Sequence, residues 1–229
     1  MKVFLHLGNL QPDYLSIMRE QSDFRVGDRI IPASRVVIAE QTHSDLVHVC
    51  SEADCGAGFG SHPQIANADA MVTNIPGQYL LIRTADCTPV LLHDIRARAV
   101  GAVHSGREGT RKNIVGKAVA SLKQHYNVEP QDIIAYIGAG ICAGHYQVSE
   151  EIWQQFNASL RDLDQAFQNI RPRHLDIRLC VFRQLLQAGV PFKNIEQDHT
   201  CTYESQRHFS YRRDGTRNRQ INLIGIEDE

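Results

Sequence analysis

The 229-residue chain is short of several signals that would narrow its class at once. No apolar run approaches the ~18 residues of a membrane span, so no membrane partner is expected. The opening residues 1–8 are apolar but broken by His6, and they lack the ~7–15-residue core and small-residue cleavage site of a secretory signal. A cytoplasmic protein is the expectation. Neither charge is in surplus: 24 Lys and Arg against 26 Asp and Glu leave a formal −2. That balance announces no basic face and argues against a nucleic-acid partner. The basic cluster near the end, Arg207, Arg212, Arg213, Arg217 and Arg219, reads first as a solvated tail. None of the six cysteines forms a C-x-x-C pair, and in a cytosolic chain of this size free thiols are expected rather than a disulfide framework. There is no internal repeat and no proline-rich linker, so one domain over 1–229 is expected. Nothing in the chain sets an oligomeric state.

What is present is a series of short apolar runs of strand type, at 3–7, 35–39, 46–49, 68–74, 79–82, 132–137, 195–202 and 219–226. Helical periodicity appears over 114–126, over 150–167 with Ser149 as N-cap, and over 175–188 with Gly189 as its stop. Strands and helices do not alternate strictly. The expected fold class is therefore α+β, a mixed sheet flanked by helices. Residues 51–67, with Gly56, Gly58 and Gly60, read as an exposed glycine-rich loop.

The chemistry gathers around one hairpin. Val90-Leu91-Leu92 and Ala99-Val100-Gly101-Ala102-Val103 read as its strands. With the turn centred at residues 95–96, Cys87 falls opposite His104. Cross-strand β-carbons lie only ~5 Å apart, so this thiol and imidazole would share one small space. Such a pair can bind a soft metal or act as nucleophile and base. A third candidate, His43, stands in the polar break Gln41-Thr42-His43-Ser44-Asp45 between two strands. Two imidazoles and a thiolate would suit zinc with a fourth position left open to activate water. Downstream, Gly106 and Gly109 flank Arg107-Glu108 at a strand-to-helix junction. Glycines there permit close backbone approach, and the helix amides attract anions such as phosphate; an ordinary tight turn explains the same residues. The 138–144 loop (Gly138-Ala139-Gly140-Ile141-Cys142-Ala143-Gly144) could line the same pocket. Asp69 and Asp86 either orient a ligand histidine or cap turns.

In order and spacing, Gln41-Thr42-His43, Ala68-Asp69-Ala70, Thr84-Ala85-Asp86-Cys87 with Pro89, Ala102-Val103-His104-Ser105-Gly106, Ile137-Gly138, Cys201-Thr202-Tyr203 and Phe209-Ser210-Tyr211-Arg212-Arg213-Asp214 resemble the YfiH-like family. That family is also described as a polyphenol-oxidase or laccase domain, as purine nucleoside phosphorylase and as peptidoglycan editing factor. The resemblance implies a mixed α+β sandwich, with His43, Cys87 and His104 as ligands of zinc, copper being the alternative. It implies a cytosolic enzyme acting on purine nucleosides and phosphate, by phosphorolysis of adenosine, inosine and methylthioadenosine and by deamination of adenosine. Gly106, Arg107, Gly109, Arg212 and Arg213 become the candidate substrate contacts. The family's opening Thr-Arg-x-Gly-Gly segment has no counterpart here, which would remove part of a pocket wall. Where the family reads His-Ala-Gly-Trp-Arg-Gly, this chain reads His104-Ser105-Gly106-Arg107-Glu108-Gly109. An anion in place of a cation should oppose phosphate unless Arg107 takes over.

The residues and the resemblance together leave three readings: a zinc-dependent purine nucleoside enzyme, a Cys–His amidohydrolase acting on a peptidoglycan precursor, and a catalytically weakened metal-binding homologue. The first is preferred.

Overall fold

Adjacent strand residues alternate between two different cores, and that alternation dictates the architecture. The computed structural model describes residues 1–160 and 171–227. Strands β1 (Lys2–His6), β4 (Val36–Ile38), β7 (Tyr79–Thr84) and β12 (Gln220–Glu227) form one sheet in the order β1-β12-β7-β4. Strands β5 (Val47–Val49), β6 (Ala70–Thr73), β8 (Thr88–Asp94), β9 (Val100–Ser105), β10 (Ile133–Ile137) and β11 (Ile195–Gln197) form a second, in the order β11-β10-β8-β9-β6-β5. Leu80 and Ile82 of β7 meet Met71, Leu91, Val100 and Ala102 between the sheets. Their sequence neighbours point the other way. Val90, Leu92, Val72 and Val103 pack against helices α3 (Ile114–Tyr126), α4 (Glu150–Ser159) and α5 (Ile177–Gln187). Leu81 and Ile38 pack against helix α1 (Tyr14–Glu20) and the small hairpin of β2 (Phe24–Val26) and β3 (Arg29–Ile31). Both sheets are thus covered on both faces, so their strands read as continuous apolar runs rather than as alternating ones. The expected α+β sandwich with flanking helices is the observed fold.

Local details depart from expectation in three places. Residues 51–67 are not a wholly exposed loop: Ala57 and Phe59 are buried, and Gly56 and Ile65 donate backbone N–H groups to Val36 and Ile38 of β4. Helix α4 ends at Ser159, where Leu160 turns its N–H back to Asn157; the rest of the helix expected to 167 lies outside the described residues. The hairpin register is also shifted. Pro89, not Cys87, stands opposite His104, and Val90 stands opposite Val103. The tip spans 95–98, with Ala97 in the left-handed region at φ 55°, so the turn centres one residue later than expected. Cys87 therefore lies just beyond the ladder, level with Gly106. A shift of two residues preserves the face of every side chain, so Cys87 and His104 still face the same space.

The turn is set by a buried carboxylate. Asp94 accepts hydrogen bonds from the Arg98 backbone N–H at 3.2 Å and from Arg98 Nε and Nη2 at 2.6 and 2.9 Å. Burial would raise this carboxyl, but Arg98 outweighs it and holds the group below the usual carboxylate range. Asp94→Ala removes a buried carboxylate that accepts three hydrogen bonds at the turn. It should cost about 2–3 kcal/mol, read as a lower urea midpoint at unchanged m-value.

Candidate active site

The site forms where the chain crosses between the sheets. Strand β7 ends at Thr84 in the four-stranded sheet and β8 starts at Thr88 in the six-stranded one; Ala85, Asp86 and Cys87 make the crossing. Asp86 takes a left-handed conformation at φ 88°. Three contacts hold it there: Thr202 Oγ1 and the Arg212 N–H donate to its carboxylate, each at 2.7 Å, and its carbonyl accepts from the Ile141 N–H at 2.9 Å. His104 comes from the end of β9. His43 comes from the loop after β4, at φ 62°. That loop is tied to β7 by Gln41, whose side-chain amide pairs with both backbone groups of Arg83, at 2.8 and 2.9 Å. Arg83 in turn donates to the carbonyls of Ala39 and Glu40.

One donor atom from each of His43, Cys87 and His104 lies within 4.8 Å of the others. His43 Nε2 is 3.8 Å from Cys87 Sγ, close to the ~3.6 Å that tetrahedral zinc bond lengths imply for a nitrogen–sulfur pair. Asp69 Oδ1 accepts from His104 Nδ1 at 2.7 Å, which leaves Nε2 as the ring nitrogen turned to the cluster. The same carboxylate accepts the backbone N–H groups of His43 and Ser44, at 3.1 and 2.6 Å. So Asp69 orients a histidine and caps the loop, while Asp86 only caps. Gly106 completes the cradle: a β-carbon there would stand 2.7 Å from His43 Cδ2 and 3.2 Å from Cys87 Sγ. The donor set and its cradle fit a soft divalent ion.

Electrostatics support the same donor set. Burial would raise the Cys87 thiol, but the charges and hydrogen bonds of His104 and His43 bring it down to about 6. Burial would lower His104, yet the Cys87 thiolate and Asp69 push it up to about 9. Without metal, the pair is a thiolate and an imidazolium near neutral pH. Asp69 itself is held below the usual carboxylate range because His104 and Ser44 outweigh its burial.

These groups open onto a cavity of about 610 Å³, lined by Gln41, His43, Arg83, Ala85, Asp86, Cys87, His104, Ser105, Gly106, Arg107, Ile141, Tyr146, Ile177, Tyr211, Arg212 and Arg219. Of the residues expected to contact substrate, Gly106, Arg107 and Arg212 line it. Gly109 and Arg213 do not. Gly109 is buried against the Ser44 carbonyl, 3.1 Å from where its β-carbon would be. Arg213 spends its guanidinium on the carbonyls of Thr202, Tyr203, Ser205 and His208 and on Asp214. Glu108 is not a lining residue; Arg107 Nε and Arg111 Nε donate to it at 3.1 and 2.9 Å. The Glu108 carboxylate is therefore already paired. Arg83, Arg219, Tyr146 and Tyr211 were not among the expected contacts. They come from separate elements, and only the order of strands in the sheets brings them together.

A two-sheet α+β sandwich with a His–Cys–His donor set at a cationic cavity defines the class. The chain belongs to the multi-copper polyphenol oxidoreductase laccase family, which matches residues 15–227. It is 36% identical over 206 residues to a purine nucleoside phosphorylase of Corynebacterium glutamicum, covering 90% of this chain and 80% of that protein. It is 30% identical over 215 residues to a purine nucleoside phosphorylase of Bacteroides thetaiotaomicron, covering 92% and 79%. Among solved structures it is similar to YlmD of Geobacillus stearothermophilus, with a TM-score of 0.78 and 29% identity over 86% of this chain and 76% of that one. YfiH of Bacillus licheniformis gives a TM-score of 0.78 at 28% identity, over 85% and 75%.

In metal-free protein, alkylation of Cys87 by iodoacetamide should switch on through a midpoint near pH 6 rather than near that of an ordinary thiol. The sign follows from the depressed thiol: the reactive thiolate persists as pH falls until about 6. Asp69→Asn, which stops holding His104 protonated, should move the midpoint upward. Peptide mass spectrometry of Cys87 reads both, and an unmoved midpoint in the variant would refute the coupling. Gly106→Ala should abolish metal uptake at this set, measured as metal per chain, because its β-carbon displaces His43.

Proposed function

We propose that the protein is a zinc-dependent purine nucleoside phosphorylase that cleaves adenosine, inosine and methylthioadenosine and also deaminates adenosine. The observation that carries this reading is the His43–Cys87–His104 donor set opening onto a cavity edged by arginines. Its support from relatives is that those of 36% and 30% identity are named purine nucleoside phosphorylases. The volume suits a nucleoside with a phosphate, since small-molecule sites span roughly 300–1,000 Å³. Ile141, Ile177, Tyr146 and Tyr211 offer apolar and aromatic surface to a planar base. Arg107 and Arg212 offer guanidinium N–H groups to phosphate oxygens.

In phosphorolysis a phosphate oxygen forms a bond to C1′ of the ribose as the C1′–N9 bond breaks. The purine leaves with the electron pair of that bond and takes a proton. Holding phosphate and sugar in line is the main contribution a protein makes to such a step. His104, fixed by Asp69, and Cys87, fixed by the anchored crossing at Asp86, supply a rigid floor for that alignment. Zinc, when bound, supplies Lewis-acid charge beside the reacting atoms.

Zinc-loaded protein incubated with adenosine and phosphate should yield adenine and ribose 1-phosphate, with inosine as the deamination product, separated by chromatography. Recovery of none of the three would sink the proposal. Arg107→Gln should raise the KM for phosphate by about tenfold or more, the loss of a charge-assisted hydrogen bond, while zinc content stays unchanged. An unaltered phosphate KM would remove Arg107 from the anion site.

A further inference from the structure

A second cluster of metal-type donors stands apart from the His43–Cys87–His104 set. The isolated parallel bridge between Gly140 and Cys201, with Thr202 N–H donating to the Gly140 carbonyl at 3.2 Å, brings the 138–144 loop against the 201–205 turn. Cys142, His145, Cys201 and Glu204 then converge, one donor atom of each within 4.8 Å of the rest. His145 Nδ1 lies 3.3 Å from Cys142 Sγ, 3.8 Å from Cys201 Sγ and 3.3 Å from Glu204 Oε1. Tetrahedral zinc, with bonds of ~2.3 Å to sulfur and ~2.0–2.1 Å to nitrogen or oxygen, spaces nitrogen and sulfur ~3.6 Å apart and nitrogen and oxygen ~3.4 Å apart. The two nitrogen–sulfur separations bracket the first value, and the nitrogen–oxygen separation of 3.3 Å falls just below the second. A single ring nitrogen, carrying one proton or one lone pair, cannot satisfy two sulfurs and a carboxylate together. A cation between them can.

The surroundings fit a ligating role. Cys201 Sγ accepts the Cys142 backbone N–H at 3.2 Å, a contact that holds the two sulfur-bearing segments together. The His145 ring stacks on Tyr203 with centroids 4.3 Å apart at 16°, which fixes its orientation. A tight turn, with the His145 N–H donating to the Cys142 carbonyl at 3.0 Å, brings these two side chains to one point. By contrast, the His48, Cys50 and Asp54 group is explained without an ion, because Asp54 is spent on His48 and on the N–H and hydroxyl of Ser51.

We propose that Cys142, His145 and Cys201, with Glu204 as the fourth donor, form a second, structural site for a soft divalent cation of the zinc type. All protein positions are filled, as in structural rather than catalytic zinc sites. Cys201 is buried, Cys142 and His145 are half-buried and Glu204 is exposed, so an ion can enter from solvent. The ion clamps two segments that shape the cavity. One carries Ile141 and Tyr146; the other supplies the carbonyls that hold Arg213, next to Arg212.

The test uses the full chain, purified under reducing conditions, with Cys87→Ser to disable the first donor set. This variant should still bind one equivalent of zinc by elemental analysis, and adding Cys142→Ser and Cys201→Ser should remove it. Zinc should protect Cys142 of the Cys87→Ser protein from maleimide, and a chelator should restore labelling; this comparison needs no further substitution. Glu204→Gln should weaken zinc binding about tenfold without unfolding the chain. A folded Cys87→Ser protein that takes up no zinc would overturn the proposal. So would zinc retained after both further cysteines are lost, equal labelling of Cys142 with and without zinc, or a Cys142–Cys201 disulfide that persists in reduced protein with zinc in excess.

Discussion

The candidate active site depends on one buried carboxylate. Asp69 sits just before β6, 1% exposed, and bonds at once to the His104 ring and to the backbone of His43 and Ser44. A buried carboxylate without partners would cost several kcal/mol, so its three partners are effectively obligatory. Satisfying them holds two histidines from different loops and strands in a fixed relation. The tautomer of His104 and the left-handed turn at His43 then follow from the same requirement. Cys87 depends on Asp69 less directly, through the imidazolium that Asp69 sustains.

The second constraint is the passage between sheets. A chain that leaves one sheet and enters the other within three residues must turn sharply, and Asp86 supplies the turn at a φ that costs about 1–3 kcal/mol in a non-glycine residue. Hydrogen bonds from Thr202, Arg212 and Ile141 offset that cost. They also draw the C-terminal segment and the 138–144 loop over the cavity. The residue that positions Cys87 therefore also positions the cavity wall opposite it.

Much of this was readable in the sequence, and the misses have physical causes. The strands were readable because burial on both faces yields unbroken apolar runs such as Val90-Leu91-Leu92. The hairpin was placed with the correct parity but not the correct register, since Asp94 and Arg98 shift the turn and no short-range pattern announces a side-chain clamp. Parity was enough to bring Cys87 and His104 together, because a two-residue slip leaves each side chain on its face. Buried Ala57 and Phe59 were missed because glycines marked their segment as a loop, and loops bonded along a strand edge look no different in composition. Arg212 and Arg213 are adjacent and alike in sequence. Only the ring of carbonyls from 202–208 separates a structural guanidinium from one that faces the cavity.

The same accounting applies to the cavity's positive charge. Arg83 is committed to the carbonyls of Ala39 and Glu40, and Arg219 to those of Thr216 and Asn218. Arg212 lies over the Tyr146 ring with one nitrogen on the Gln147 carbonyl, so it keeps its net charge while losing freedom to move. Carbonyl partners order a guanidinium without neutralising it, whereas Glu108 does partly neutralise Arg107. Arg111 shares that carboxylate, which leaves the three-residue group with net charge of one positive unit. An anion entering the cavity thus meets several fixed cations and one balanced by a shared carboxylate. Glu108 thus governs how the Arg107 cation is positioned at the cavity rather than whether one is present.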